Sequence, residues 1–314
     1  MKNIFYHEKI KVAVIGVGYL GEFHADKYHA NKSVDLIGVV DLDRKRRDAI
    51  SKKLNISSFS DYIKVLDYVD AVSISVPTDL HFKIGKFFIE NGKHVLIEKP
   101  FTNNLSEAIK LKSIAKKKGV VLQIGHIERF NKAYIKLEEL VKNPLFIECN
   151  RISPFKVRGT EVDVIMDLMI HDLDIILKLN KSKIKSIHAK GINVLTNNAD
   201  IANARITFEN DCVCNLSSSR ISSKVERKMR VFQKNAYFSI DYNDNIIDIY
   251  KKTSGKKLSS ITKKTINYEK NDSLKKEIDS FVDCIRLKKS PIVSSNDGIN
   301  ALKYALEISK KIKR

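Results

Sequence analysis

Three groups of residues have the types and spacing to do chemistry. The first is Gly16-Val17-Gly18-Tyr19-Leu20-Gly21, a G-x-G-x-x-G. Such a run binds a dinucleotide when it follows a strand and opens a helix. Gly16 then permits the tight turn, Gly18 lets the backbone approach a pyrophosphate, and Gly21 lets the helix pack close on the strand. The helix N-terminus turns N–H groups and a positive dipole toward the phosphates. Asp41 stands at the spacing of the carboxylate that accepts both ribose hydroxyls and repels a 2′-phosphate, which favours NAD, while Arg44 nearby softens that preference toward NADP. A glycine-rich turn alone is a weak sign; with the flanking elements and Asp41 it becomes a specific one.

The second group is Glu98-Lys99-Pro100. A lysine before proline is held in an extended backbone, and at the carboxyl end of a strand its ammonium reaches the crevice where open α/β sheets bind ligands. Taken alone, it also reads as one surface lysine among many. The third group is Asp167 and His171, four residues apart and therefore on one helix face. Oxidising an alcohol by hydride transfer requires a group to take the hydroxyl proton. An imidazole titrating near neutrality suits this, and a neighbouring carboxylate can orient it. A cluster of acids at a helix start with a satisfied histidine is the structural alternative.

These groups need elements to hold them. Short apolar runs at 11–15, 34–41, 69–76, 94–98 and 120–124 alternate with amphipathic stretches at 19–30, 43–53, 80–91 and 105–118. That alternation predicts an α/β, doubly wound parallel sheet of Rossmann type, covered on both faces. After residue 123 the rhythm changes. A helical stretch at 130–142, a strand at 146–152 and an apolar helix at 162–179 precede strand-like runs at 184–195, 201–208, 212–219, 225–232, 237–241 and 246–250. Helices at 273–286 and 297–313 follow. Consecutive strands without helices predict an α+β domain with an open, mostly antiparallel sheet. We expect a cofactor domain over 1–123 and a substrate-binding and oligomerisation domain over 124–314, whose last helix packs back on the first.

Composition narrows the class. The chain has 314 residues and a formal net charge of +20. Its lysines are spread along helical stretches such as 110–118 and 303–313, without interleaved aromatics, so the charge reads as solvated surface rather than a nucleic-acid interface. No basic-then-apolar leader stands at residues 1–10 and no apolar run is long enough to span a bilayer, so we expect a cytoplasmic protein with no membrane partner. Cys149, Cys212, Cys214 and Cys284 lack metal-ligand spacing and read as reduced thiols; no metal is expected.

The glycine motif at 16–21, Glu98-Lys99-Pro100 and the Asp167-x-x-x-His171 helix together resemble the glucose–fructose oxidoreductase, inositol dehydrogenase and rhizopine-catabolism (Gfo/Idh/MocA) family across nearly the whole chain. The resemblance implies NAD(P)-dependent hydride transfer at a sugar or cyclitol hydroxyl, with the substrate over the nicotinamide. It implies a catalytic set of Lys99, Asp167 and His171: His171 as acid/base, Lys99 polarising the hydroxyl, Asp167 orienting. Pro77, Thr78 and His81 resemble the family's loop near the nicotinamide, and Glu98 joins the cofactor contacts. The resemblance also implies a homodimer or homotetramer, consistent with an open sheet that leaves an apolar face to cover.

Gly125-His126-Ile127-Glu128-Arg129-Phe130-Asn131, followed by residues 164–172, is similar to members that oxidise UDP-N-acetylglucosamine at the sugar 3-hydroxyl. On that likeness His126, Arg129 and Asn131 join Lys99, Asp167 and His171 as substrate contacts, with Arg129 suited to a diphosphate. Two positions depart from the family pattern: Lys132 replaces a proline common after the asparagine, and Val162-Asp163-Val164-Ile165 replaces a glycine cluster. Other readings are an inositol or free-sugar dehydrogenase and a dinucleotide-binding regulator without turnover. Lys99, Asp167 and His171 together argue against the regulator.

Overall fold

The computed structural model describes residues 8–156, 159–253, 261–269 and 272–312. The first helices and strands follow the expected alternation: β1 (Ile10–Ile15), α1 (Tyr19–His29), β2 (Val34–Val40), α2 (Arg44–Leu54), β3 (Ser57–Phe59), a 3₁₀ turn (Tyr62–Tyr68), β4 (Ala71–Ile74), α3 (Thr78–Glu90), β5 (His94–Glu98), α4 (Leu105–Lys118) and β6 (Leu122–Gly125). The strands pair in the order β3-β2-β1-β4-β5-β6, every pair parallel. Strand order reverses at β1, so the crevice beyond its carboxyl end is a topological switch point. The strands are apolar throughout because helices cover both faces: Val12, Ala13, Val14, Val72, Leu96 and Ile97 are fully buried. The short strand β3 escaped the sequence reading because Ser57-Ser58-Phe59 carries little apolar pattern.

The chain continues through a 3₁₀ turn (Ile127–Phe130), α5 (Lys132–Leu140), β7 (Pro144–Ile152), a π turn (Ile165–Met169) and α6 (Ile170–Leu179). The strands β8 (Ile184–Ile192), β9 (Ile201–Phe208), β10 (Val213–Ser219), β11 (Glu226–Gln233), β12 (Ala236–Asp241), β13 (Ile246–Lys252) and β14 (Ile261–Asn267) follow, then α7 (Ser273–Leu287) and α8 (Ser295–Ile312). The second sheet has the order β14-β13-β12-β11-β7-β10-β9-β8. Its pairs are antiparallel except β7 with β10. β14 was not anticipated: Lys263 and Lys264 break its apolar pattern, as suits an exposed edge strand.

The uncovered face of this sheet corrects one expectation: it is polar at its centre. Alternation turns Ile147, Cys149, Met229, Val231, Phe238 and Ile240 toward the helices and buries them. It turns Glu148, Asn150, Asn215 and Arg230 outward, where Glu148 and Arg230 form an ion pair of 2.7 Å across strands. Toward one end an aromatic row crosses four strands, Phe146, Phe232, Tyr237 and Tyr250, with ring centroids 4.7–5.9 Å apart.

Two compact units result. One comprises residues up to Ile127 together with Ser273–Ile299; the other comprises Glu128–Asp272 and the chain from Asn300. The first unit thus recruits α7, whose Ile278, Phe281 and Val282 join the core around Val12, Val14, Tyr28, Val39 and Leu96. The N-terminal residues 1–7 and Lys313, which entered the sequence reading, lie outside the described residues.

Candidate active site

In the first unit, β1 delivers the chain into the glycine turn. Gly16 has φ +85°, a left-handed conformation that favours glycine, and a Cβ there would stand 2.7 Å from the Ser75 carbonyl oxygen. At Gly21 a Cβ would fall 1.8 Å from the Gly16 carbonyl oxygen, so only glycine lets α1 pack this close to the turn. Above Gly18 the space is open apart from Arg46 Nη1 at 4.0 Å. α1 begins at Gly18 with no side-chain cap, and Tyr19 and Leu20 are exposed. An uncapped helix start, a glycine cradle and a nearby carboxylate fit a dinucleotide pyrophosphate and ribose.

Asp41 fixes the geometry of that turn. Its Oδ2 accepts the Val17 N–H at 2.8 Å and its Oδ1 accepts the Asp43 N–H at 2.8 Å, so it ties the glycine turn to the end of β2. Arg44 faces away: it is exposed and its Nε donates to Asp48 on its own helix. The guanidinium that reaches the glycine turn belongs instead to Arg46, which the run of basic residues at 44–47 concealed.

Pro77 is the exposed N-cap of α3 and Thr78 begins the helix. His81 corrects the expectation of a cofactor contact. Its ring is buried, its nitrogens lying 2.9 Å from the carbonyl oxygens of Pro100 and Val76, and burial lowers its pKa. It straps the end of β4 to the turn after β5. Glu98 is corrected in the same way. Its carboxylate is turned inward, with Oε1 3.0 Å from His24 Nε2 and Oε2 accepting the Lys99 N–H at 3.2 Å. Lys99 itself is half-buried at the end of β5. His126, just past β6, is buried.

In the second unit, Asp167 lies in the π turn and His171 in the first turn of α6. The π turn is wider than an α turn, so four residues come nearer to one full turn and the pair stays on one face. Both are half-buried, whereas Leu173 and Ile176, farther round the helix, are fully buried. Gly159 stands directly against Asp167. Its φ is +83°, and a Cβ would lie 3.0 Å from Asp167 Oδ2. Arg220 pins this stretch by donating to the carbonyl oxygens of Gly159 and Val162 at 2.6 and 2.7 Å. Its ion-pair partner is Asp200, at 3.2 Å. Burial alone would raise the Asp200 carboxyl, but the N–H groups of Val194, Leu195 and Thr196 hold its pKa down at about 2.

Arg129 corrects the expectation of a diphosphate contact. Its guanidinium is buried and forked onto Asp174, Nη2 to Oδ1 at 2.8 Å. Asn131 is buried too: its Oδ1 caps α5 by accepting the Ala133 N–H at 2.9 Å, and its Nδ2 donates to Asn245. Sequence reasoning missed Arg151 on β7, which forks onto Asp172 at 3.0 and 2.9 Å and reaches Glu128 at 2.8 Å. The Glu128-Arg129 and Asp172-x-Asp174 motifs are therefore partners. The two arginines anchor α6 through the buried Asp172 and Asp174, while Asp167 and His171 stay half-buried. Two acids inside a largely apolar helix were the available signal.

Comparison with known proteins agrees with both units. Residues 10–126 match the oxidoreductase family with NAD-binding Rossmann fold, and residues 154–239 match the GFO/IDH/MocA C-terminal domain. The chain is 36% identical over 302 residues to the UDP-N-acetylglucosamine 3-dehydrogenase of Acidithiobacillus ferrooxidans, covering 95% of this chain and 96% of that one. It is 25% identical to the scyllo-inositol 2-dehydrogenase (NAD(+)) of Bacillus subtilis, covering 92% and 90%. The solved structure of the Acidithiobacillus enzyme superposes with a TM-score of 0.91 at 35% identity, covering 98% of this chain and 99% of that one. A scyllo-inositol dehydrogenase of Lactobacillus casei with bound NAD(H) shares the fold, with a TM-score of 0.82 at 19% identity over 98% and 97%. Matched along nearly its whole length, the chain belongs to the Gfo/Idh/MocA family of NAD-binding oxidoreductases.

Proposed function

We propose that this enzyme oxidises the 3-hydroxyl of UDP-N-acetylglucosamine, with Lys99, Asp167 and His171 as its catalytic set. The observation that carries this reading is the 36% identity, over 95% of the chain, to a protein of that activity. NAD, when bound, accepts the hydride. His171 takes the hydroxyl proton, Asp167 orients the imidazole, and the Lys99 ammonium polarises the substrate oxygen. The half-buried face shared by Asp167 and His171 supports these roles, since a proton acceptor must be reachable by substrate. Gly16, Val17, Gly18, Tyr19, Leu20, Gly21 and Asp41 hold the cofactor, with Pro77 and Thr78 near its nicotinamide end. His126 is retained as a substrate-side residue by its motif.

A homo-oligomeric state and a cytoplasmic location complete the proposal. The aromatic row on the open sheet face supports self-association. Among the described residues no helix is long and apolar enough to cross a membrane. All four cysteines are free, as suits a reducing compartment.

The test is NADH formation measured with UDP-N-acetylglucosamine, other UDP-hexoses, free hexoses and inositols, with NAD and NADP in parallel. Turnover confined to the UDP-amino sugar, abolished in Lys99→Ala and slowed at least a hundredfold in His171→Ala, is expected. Turnover on inositol alone would discard the substrate, and full activity in both variants would discard the catalytic set.

A further inference from the structure

Beneath the end of β5 the first unit buries a polar cluster that hydride transfer does not itself require. His24 on α1 is fully buried, with Nδ1 2.8 Å from Ser73 Oγ on β4 and Nε2 3.0 Å from Glu98 Oε1. Glu277 on α7 is fully buried beside them, and one ligating atom from each of His24, Glu98 and Glu277 lies within 4.8 Å of the others. Tyr28 and Gln123 complete the surround, Gln123 donating to the Glu277 backbone oxygen at 3.1 Å. Gly125 on β6 clears the space: a Cβ there would stand 2.9 Å from Glu98 Cδ.

Two buried carboxyl groups this close do not both ionise. Among the described residues Glu277 has no hydrogen-bond partner for either oxygen, and burial together with the Glu98 charge pushes its pKa well up, so of the two carboxyls it is the one that keeps the proton. Burial works against the Glu98 charge too, but the bond to His24, then the Lys99 charge and N–H, bring its pKa below the ordinary value. The negative charge of the pair therefore favours Glu98, whose Oε2 accepts the Lys99 backbone N–H at 3.2 Å and which feels the Lys99 charge, and His24 is the largest influence keeping it there.

We propose that His24 is a positioning residue for the reaction, acting through Glu98 to fix Lys99. This deepens the role given to Lys99 above and rests on it. Removing the imidazole donor frees the Glu98 carboxyl to rotate and to compete with Glu277 for the proton, and Lys99 then loses its fixed counter-charge. A glutamine at position 24 retains an N–H donor for Glu98, whereas leucine does not.

The test is a double-mutant cycle of His24→Leu and Glu98→Gln, with His24→Gln alongside and NADH binding followed separately by fluorescence. We expect His24→Leu to lower kcat at least tenfold while the Kd for NADH stays within threefold. His24→Gln should recover most of kcat. Adding His24→Leu to Glu98→Gln should cost less than a further twofold. Equal losses from His24→Leu in both backgrounds, or unchanged kcat, would overturn the proposal. A readout without turnover keeps the two readings apart. In reductively ¹³C-methylated protein, the Lys99 resonance, assigned with Lys99→Ala, should shift in His24→Leu and shift no further in the double variant. Absence of turnover on every sugar with that shift present counts against the substrate and catalytic set only; absence of the shift counts against His24.

Discussion

Arg129 holds Asp174 through a fork of two hydrogen bonds, Nε to Oδ2 and Nη2 to Oδ1, with both side chains almost wholly buried. Removing one partner of such a pair strands the other charge in the interior. Arg129→Ala should destabilise the protein by about 3–5 kcal/mol. Arg129→Lys, which retains the charge but not the fork, should cost less. Denaturant unfolding checks both, and the KM for UDP-N-acetylglucosamine in Arg129→Lys should stay within about twofold of wild type. A large rise in KM without loss of stability would return Arg129 to the substrate.

Glu277 makes stability depend on pH. Its folded-state pKa is raised, first by burial and then by Glu98, so the folded chain retains a proton that the unfolded chain releases above its ordinary carboxyl pKa. The associated stability is present below the unfolded pKa and is lost as pH rises toward the folded one. Glu277→Gln has no proton to lose there. Its stability relative to wild type should therefore grow with pH from about 5 upward, by at most about 1.4 kcal/mol per pH unit. Urea unfolding at several pH values measures the slope, and a flat difference would contradict a neutral Glu277.

Gly159 bears on the role proposed for Asp167, which it faces. Gly159→Ala would strain a residue at φ +83° and press a methyl to 3.0 Å from Asp167 Oδ2. The expected result is a kcat reduced at least tenfold, a KM for NAD within twofold of wild type, and a destabilisation of about 1 kcal/mol from the left-handed backbone. Unchanged kcat would mean that the Asp167 orientation is not limiting.

Asp41→Ala should weaken NAD binding at least tenfold, because it removes the proposed ribose contact and releases the Val17 N–H together. It should also narrow the preference for NAD over NADP. Isothermal titration with each cofactor gives both numbers. An unchanged ratio would assign cofactor choice elsewhere, with Arg46 the neighbour to test next.

What the sequence made legible was whatever depends on local pattern. The β–α alternation through residue 125, the glycine turn and the helix bearing Asp167 and His171 were readable because periodicity and spacing encode them. Where Arg129 points was not readable, since its partner Asp174 is 45 residues away and only packing chooses between protein and ligand. His24 was hidden for the same reason: it reads as one position on a helix until β4 and β5 bring Ser73 and Glu98 to its two nitrogens. The parallel pairing of β7 with β10 and the recruitment of α7 into the first unit are likewise long-range choices that no short window contains.

That recruitment shapes how the protein is made. As the chain leaves the ribosome, the stretch that forms the six-stranded sheet emerges well before Ile278, Phe281 and Val282, which its core requires. Domains usually complete themselves in the order of synthesis. Here the nucleotide-binding half emerges first yet closes its core after the strands of the other half have appeared. A nascent chain stalled before α7 should bind NADH poorly and engage chaperones, while the same length extended through residue 299 should not.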